Sequence, residues 1–286
     1  MVVSAKKEAY MLDKIIAVIG AGNMGSSLIG GLIASNYDPS KVWAADPDHE
    51  KCARLAQQFH IRTTNQNQEA LEAADIVLLA IKPQVMANTI KNFGSLFTNK
   101  RRLIISIAAG IPINPIEKWL GIKNVPIIRA MPNTPALIRC GATALYANEN
   151  ADKSDRAIAE GILKAVGVVV WLEDESLMDV VTALSGSGPA YFFFVMEILQ
   201  QTAMSMGLTP DLARLLTAQT ALGAARMVLE NPAEIATLRQ QVTSPGGTTE
   251  RALQVLAEAQ LPQHFYKALL AAKVRSQELA TELGDS

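Results

Sequence analysis

Three glycines, Gly20, Gly22 and Gly25, separate a short β-branched run, Ile15–Ile19, from a stretch with Leu28, Ile29, Leu32 and Ile33 at helical spacing. Between a strand and a helix, this G-x-G-x-x-G pattern is a phosphate cradle. The first glycine permits a tight turn, the second lets a pyrophosphate approach the backbone, and the third lets the helix close on the strand. Bare N–H groups and the helix dipole then favour negative charge, so the turn containing Asn23 and Met24 predicts dinucleotide binding. Asp46 ends the next strand about twenty residues on, where a carboxylate can hold ribose hydroxyls and points to NAD(H). The 2′-phosphate of NADP(H) would want a cation instead, and the nearest, Lys51 and Arg54, stand one helical turn later. Asp46-Pro47-Asp48 also reads simply as a helix start.

Two more strand ends should line the same crevice, because ligands of such sheets bind beyond the carboxyl edge of the strands. Ala80-Ile81-Lys82-Pro83 offers a cation for a phosphate or ribose, or an ordinary strand-end charge, and the small residues Ala108 to Gly110 would admit a nicotinamide ring. A second anion receptor stands far downstream, in Val242-Thr243-Ser244-Pro245-Gly246-Gly247-Thr248-Thr249. There a glycine pair leads into a helix, bare amides converge, and no side chain blocks a small carboxylate. A helix capped by Thr248 or Thr249 after a Pro-Gly turn explains the same residues. Ser185-Gly186-Ser187-Gly188-Pro189-Ala190-Tyr191 is a similar hydroxyl-rich helix start, open either to close backbone approach or to plain capping.

These groups need elements to hold them, and the periodicity changes once along the chain. Short runs (Ile15–Ile19, Lys41–Ala45, Ile76–Ile81, Leu103–Ile107, Val125–Ala130, Gly141–Tyr146 and Val166–Leu172) alternate with amphipathic stretches such as His49–Phe59 and Pro83–Leu96. That β-α-β-α order predicts an α/β fold, a Rossmann-type doubly wound parallel sheet over 14–172. From 173 to 286 only helical spacing remains, with Pro189, Pro210, Pro232 and Pro262 each placed for a first helical turn, which predicts an all-α domain. The stretch Thr202–Glu230, read as one helix, is rich in Ala, Leu and Met on every side; it is expected either between subunits or at the centre of a monomeric domain. Residues 1–13 read as a loose extension.

Composition excludes several classes. With 286 residues, 49% hydrophobic and 19% charged, the chain can bury a full core, and a net charge of −1 without a basic run leaves no footprint for nucleic acid or an anionic membrane. No apolar run has the length of a membrane span or a signal peptide, so a cytoplasmic protein acting on small molecules is expected. Cys52 and Cys140 lack metal-ligand spacing, and His49, His60 and His264 lack a paired acid; neither a metal site nor histidine catalysis is expected.

Five segments in order, GAGNMG (Gly20–Gly25), AIKP (Ala80–Pro83), RAMPNTP (Arg129–Pro135), SGSGPAY (Ser185–Tyr191) and VTSPGGTT (Val242–Thr249), together resemble the pyrroline-5-carboxylate reductase family from Ile15 to about Val255. The resemblance implies reduction of 1-pyrroline-5-carboxylate to L-proline, the last step of proline biosynthesis, by a Rossmann domain followed by a helical dimerisation domain. It implies cofactor contacts from Gly20, Gly22, Asn23, Met24, Gly25, Asp46, Asn67, Ala80, Lys82, Pro83 and Ala108. The imino-acid carboxylate would rest on Ser244, Gly246, Gly247 and Thr248, with Asn133 beside the substrate, and the hydroxyl of a catalytic Thr249 would meet the ring nitrogen. Homodimers interlocked through their helical domains are also implied, the substrate lying between the cofactor and the partner's helical domain, with a ring, a decamer of dimers, as the larger option. NADP(H) is favoured by the resemblance, whereas Asp46, at a position where many members carry Ser or another neutral residue, argues for NAD(H). A few extra residues between Pro232 and Val242 blur where the family's acidic pocket residue falls, with Glu230 the candidate.

Such chemistry needs no metal and no nucleophile, because an iminium carbon accepts hydride once the ring is held about 3–3.5 Å from a nicotinamide. Two other functions compete. A β-hydroxy-acid dehydrogenase would need a proton-transferring lysine on the first long helix of the second domain, where Pro189–Met206 has Glu197 and no Lys. A noncatalytic dinucleotide sensor would have no use for a carboxylate receptor facing the nicotinamide.

Overall fold

The computed structural model describes residues 13–98 and 100–284, so the expected N-terminal extension lies outside the described residues apart from Asp13. The described chain divides into two compact units: one runs through Ser187 and resumes from Ala272, and the other is Gly188–Ala271.

The first unit is built on an eight-stranded sheet: β1 (Ile16–Ile19), β2 (Val42–Ala45), β3 (Arg62–Thr64), β4 (Ile76–Leu79), β5 (Leu103–Ser106), β6 (Ile127–Met131), β7 (Gly141–Ala147) and β8 (Gly167–Trp171), in the order β3-β2-β1-β4-β5-β6-β7-β8. The order runs outward from β1 in both directions, so the topological switch lies between β1 and β4, beside the glycine turn. Two features differ from the expected parallel sheet. β7 pairs antiparallel with β6, because the two are joined by one 3-10 turn, Thr134–Ile138, too short for a parallel crossover. β3 was not expected: its three residues, Arg62-Thr63-Thr64, carry no apolar run and sit at the sheet edge.

Alternation along β1 sends Ile16 and Val18 to one core layer and Ala17 and Ile19 to the other. The first layer is closed by α1 (Asn23–Ala34), α2 (His49–Phe59) and, later in the chain, α7 (Lys153–Lys164), through Leu28, Leu32, Leu55 and Ile162. The second is closed by α3 (Asn67–Ala73), α4 (Pro83–Ile90), α5 (Gly94–Thr98) and α6 (Ile113–Leu120), through Leu71, Met86, Phe97 and Ile116. Side chains such as Ile16, Leu28 and Leu78 are fully buried, each stabilising by about 2 kcal/mol relative to exposure.

After β8 come α8 (Leu177–Val181), a single π turn (Thr182–Gly186), α9 (Gly188–Ser205), α10 (Pro210–Glu230), α11 (Ile235–Gln241), α12 (Thr248–Glu258) and α13 (Leu261–Gly284). The stretch Thr202–Glu230, read as one helix, is two, in line with the placement of Pro210 at a first helical turn: Gly207 takes φ 107°, open to glycine, and Pro210 restarts the helix. Pro232 does not open a helix, which begins only at Ile235. In the unit Gly188–Ala271, Gly188, Ala213 and Leu238 are the only buried residues, while Phe192, Phe193 and Phe194 are 67%, 64% and 63% exposed. The closing turns of α13 belong to the first unit, where the Ser276 hydroxyl donates to Asp179 at 2.6 Å. Among the described residues no helix is long and apolar enough to cross a membrane.

Candidate active site

The three glycines of the turn after β1 are glycine for different reasons. A Cβ on Gly20, at φ +105°, would stand 2.4 Å from the Ala80 carbonyl oxygen, and one on Gly25 would stand 2.2 Å from the Gly20 carbonyl oxygen. Those two let β1, β4 and α1 close together. A Cβ on Gly22 would meet nothing within 4 Å. No protein contact requires that glycine; it leaves an exposed, unobstructed backbone at the start of a twelve-residue helix whose N-cap it forms without any side-chain cap. Such a surface is open to the oxygens of a pyrophosphate. Asn23 is exposed beside it, and Met24 is half-buried against the first core layer.

Asp46 follows β2 with its side chain 11% exposed. One carboxylate oxygen accepts the Ala21 N–H at 2.8 Å and the other accepts the Asp48 N–H at 3.0 Å, so this residue braces the glycine turn and also shapes the start of α2. The cap itself is Asp48, which accepts the Glu50 and Lys51 N–H groups. Asp46 keeps lone pairs beyond those two bonds, and a ribose hydroxyl can still donate to it. Lys51 is engaged, with its ammonium 3.3 Å from Asp48 and 3.8 Å from Asp46. Asn67 opens α3 after β3; Ala80 and exposed Lys82 follow β4, with Lys82 as N-cap and Pro83 in the first turn of α4. Ala108 is buried just beyond β5, its N–H 3.5 Å from the Ser106 hydroxyl. The carboxyl ends of β1 to β5 thus bring every expected cofactor residue to one edge of the sheet.

Asn133 is 9% exposed, and its side-chain amide is used by the protein: the NH₂ donates to the Ser185 carbonyl at 3.0 Å and the carbonyl accepts the Ala142 N–H at 2.9 Å. A Cβ on Gly186 would lie 2.4 Å from the Met131 methyl. The RAMPNTP and SGSGPAY segments, far apart in sequence, therefore meet at the π turn. A partly buried ion pair that sequence spacing did not reveal lies nearby. Glu175 accepts the Ile113 N–H at 2.9 Å and the Arg129 guanidinium at 3.2 Å, and so fixes the helix that follows the Ala108–Gly110 loop.

In the helical unit, α12 starts on a bare backbone. Its N-cap is Gly247, with no side-chain cap; Thr248 and Thr249 are the first two helical residues, so neither is the cap. Glu250 reaches back to the Gly246 N–H at 2.7 Å, and Gly246, at φ +70°, has nothing within 4 Å of its Cβ position. Ser244, Gly246, Thr248 and Thr249 are exposed, with Gly247 half-buried between them. The first amides of α12 have no intrahelical acceptor and can receive a carboxylate. The histidines are scattered: His49 and His60 stand at opposite ends of α2, and His264 lies on α13.

Comparison with known proteins decides between the competing functions. Residues 175–279 match the family described as "Pyrroline-5-carboxylate reductase dimerisation", and residues 15–110 match "NADP oxidoreductase coenzyme F420-dependent". A pyrroline-5-carboxylate reductase of Pseudomonas aeruginosa is 46% identical over 269 residues, covering 94% of this chain and 98% of the relative. The chain belongs to the pyrroline-5-carboxylate reductase family. Within that family, the solved reductase of Coxiella burnetii superposes with a TM-score of 0.89 at 45% identity, over 93% of this chain and 98% of that one. The Plasmodium falciparum pyrroline carboxylate reductase, with NADP bound, has a TM-score of 0.84 at 27% identity, over 94% and 99% of the two chains. The Rossmann-type sheet followed by a helical dimerisation domain is thus the architecture of this reductase family.

Proposed function

We propose that this chain reduces 1-pyrroline-5-carboxylate to L-proline with hydride from NADPH, as a homodimer in the cytoplasm. The observation that carries the reading is the 46% identity with a pyrroline-5-carboxylate reductase over 94% of the chain. Geometry supports each part. The open backbone of Gly22 suits the pyrophosphate, and Ala80, Lys82 and Ala108, at neighbouring strand ends, suit the nicotinamide half. The amides that open α12, with Ser244, Gly246, Gly247 and Thr248 around them, suit the ring carboxylate, and the exposed Thr249 hydroxyl suits a hydrogen bond to the ring nitrogen. NADPH is supported by the NADP carried by the Plasmodium relative and by the match of residues 15–110 to an NADP oxidoreductase family, while Asp46 favours NADH. Two free cysteines accord with a reducing compartment.

The bound nicotinamide supplies the hydride. The protein holds the imino acid so that its C=N carbon lies about 3–3.5 Å from the donor, converting an encounter into a positioned transfer. Thr249 orients the nitrogen of the iminium; hydride neutralises it to an amine, which takes a proton from water to leave as proline.

The test is initial rates of cofactor oxidation with pyrroline-5-carboxylate and either NADPH or NADH, with proline measured as product. Stoichiometric proline and a higher kcat/KM with NADPH are expected. No oxidation of either cofactor sinks the function, while a higher kcat/KM with NADH sinks the cofactor choice alone.

A further inference from the structure

Beside the glycine turn, on the outer side of α1, lies a cleft of 440 Å³ lined by Asn23 and Ser26 of α1, Arg54 and Gln58 of α2, and Leu137 and Arg139 at the 3-10 turn before β7, among others. We propose that Arg54 and Arg139 bind the 2′-phosphate of NADPH in this cleft and so set the preference for the phosphorylated cofactor; the inference rests on the dinucleotide reading above.

The cleft is continuous with the dinucleotide turn, because Asn23 belongs to both. Two guanidinium side chains line it and no carboxylate does. Among the described residues neither guanidinium has a hydrogen-bond or ion-pair partner, so two like charges share a concave surface without a counter-ion. A dianion relieves that repulsion, and planar guanidinium forks match a phosphate's oxygens. The charge map disfavours the other cation near the end of β2. Lys51 is held by Asp48 and Asp46, and Glu50 adds a further negative charge, so the first turn of α2 is acidic and its lysine is engaged. Arg54 is the next cation along that helix and lines the α1 side. Arg139 is the left-handed C-cap of the 3-10 turn, at φ 58°, ψ 27°, which fixes its backbone at the mouth of the cleft.

The test measures dissociation constants of NADPH and NADH, without imine, for the full-length protein and for Arg54→Gln, Arg139→Gln and the double variant, with thermal melts to confirm folding. Each single change should weaken NADPH about tenfold and leave NADH within about twofold, and adenosine 2′,5′-bisphosphate should displace NADPH from the wild type but not bind the double variant. Equal losses for both cofactors, no loss of NADPH affinity, or a wild type that binds NADH more tightly would overturn the assignment. So would inorganic phosphate altering the NADH-driven rate through these arginines while NADPH affinity stays intact, which would make the cleft a site for a free anion. Because binding is read without substrate, a protein that discriminates the cofactors yet reduces no imine refutes the proposed reaction and leaves this assignment standing.

Discussion

At Gly25 an added methyl would stand 2.2 Å from the Gly20 carbonyl oxygen, whereas at Gly22 it would meet nothing within 4 Å. Gly25→Ala is therefore expected to lower stability by about 2 kcal/mol or more, read as a fall in melting temperature. Gly22→Ala should melt within about 0.5 kcal/mol of the wild type yet bind cofactor at least about tenfold more weakly, because the methyl occupies the space of the pyrophosphate. A Gly22→Ala protein with unchanged cofactor affinity would remove that turn from the binding site. The same logic separates roles at Thr249, whose hydroxyl is exposed at the start of α12. Thr249→Ala should reduce kcat about tenfold or more while leaving stability and the dissociation constant of NADPH unchanged; unaltered steady-state kinetics would exclude the residue from the chemistry. The glycine spacing was legible because the requirement is local to one turn. The double use of Asp46 was not, since its partner Ala21 lies 25 residues away in sequence.

Asp75, just before β4, ties three strand starts together: its carboxylate accepts the Ile15 N–H at 2.8 Å ahead of β1 and lies 2.7 Å from the Lys100 ammonium ahead of β5. Burial pushes its pKa up, but the Lys100 ammonium and the Ile15 N–H outweigh that and hold the carboxyl below the usual carboxylate range. A depressed folded-state pKa means stability that is present above the ordinary value, about 3.9, and is lost as pH falls through the folded value. Asp75→Asn should thus cost about 1 kcal/mol at neutral pH, and its gap from the wild type should narrow toward about pH 3 in denaturant titrations. A gap independent of pH would show that the ionised carboxylate is not what binds the strands. At this scale the β-α alternation was readable, because buried parallel strands are short β-branched runs. β3 escaped because an edge strand needs no apolar run, whereas the helix break at Gly207 was marked only by Pro210, because apolar residues continue on both sides of it.

Phe192, Phe193 and Phe194 succeed one another on α9, about 100° apart around the axis, and all three are more than 60% exposed in the single chain. One neighbouring surface cannot cover them all, so the helical unit is expected to be enclosed by its counterpart on more than one side. Light scattering should report at least twice the mass of one chain, and Phe193→Asp should dissociate the assembly and lower its melting temperature; a wild type that stays monomeric at micromolar concentration would refute this. By itself the sequence determined the class of both halves, the glycine turn and the family, because each depends on short-range spacing: β-branched runs, helical periodicity, glycines two and three residues apart. Only the tertiary structure decided which glycine leaves room for a ligand, that Asn133 and Asp46 are braced by distant backbone, and that Arg54 and Arg139 share a cleft. Those facts depend on which surfaces the sheet order brings into contact, and the close approach of residues remote along the chain leaves no periodic mark in it.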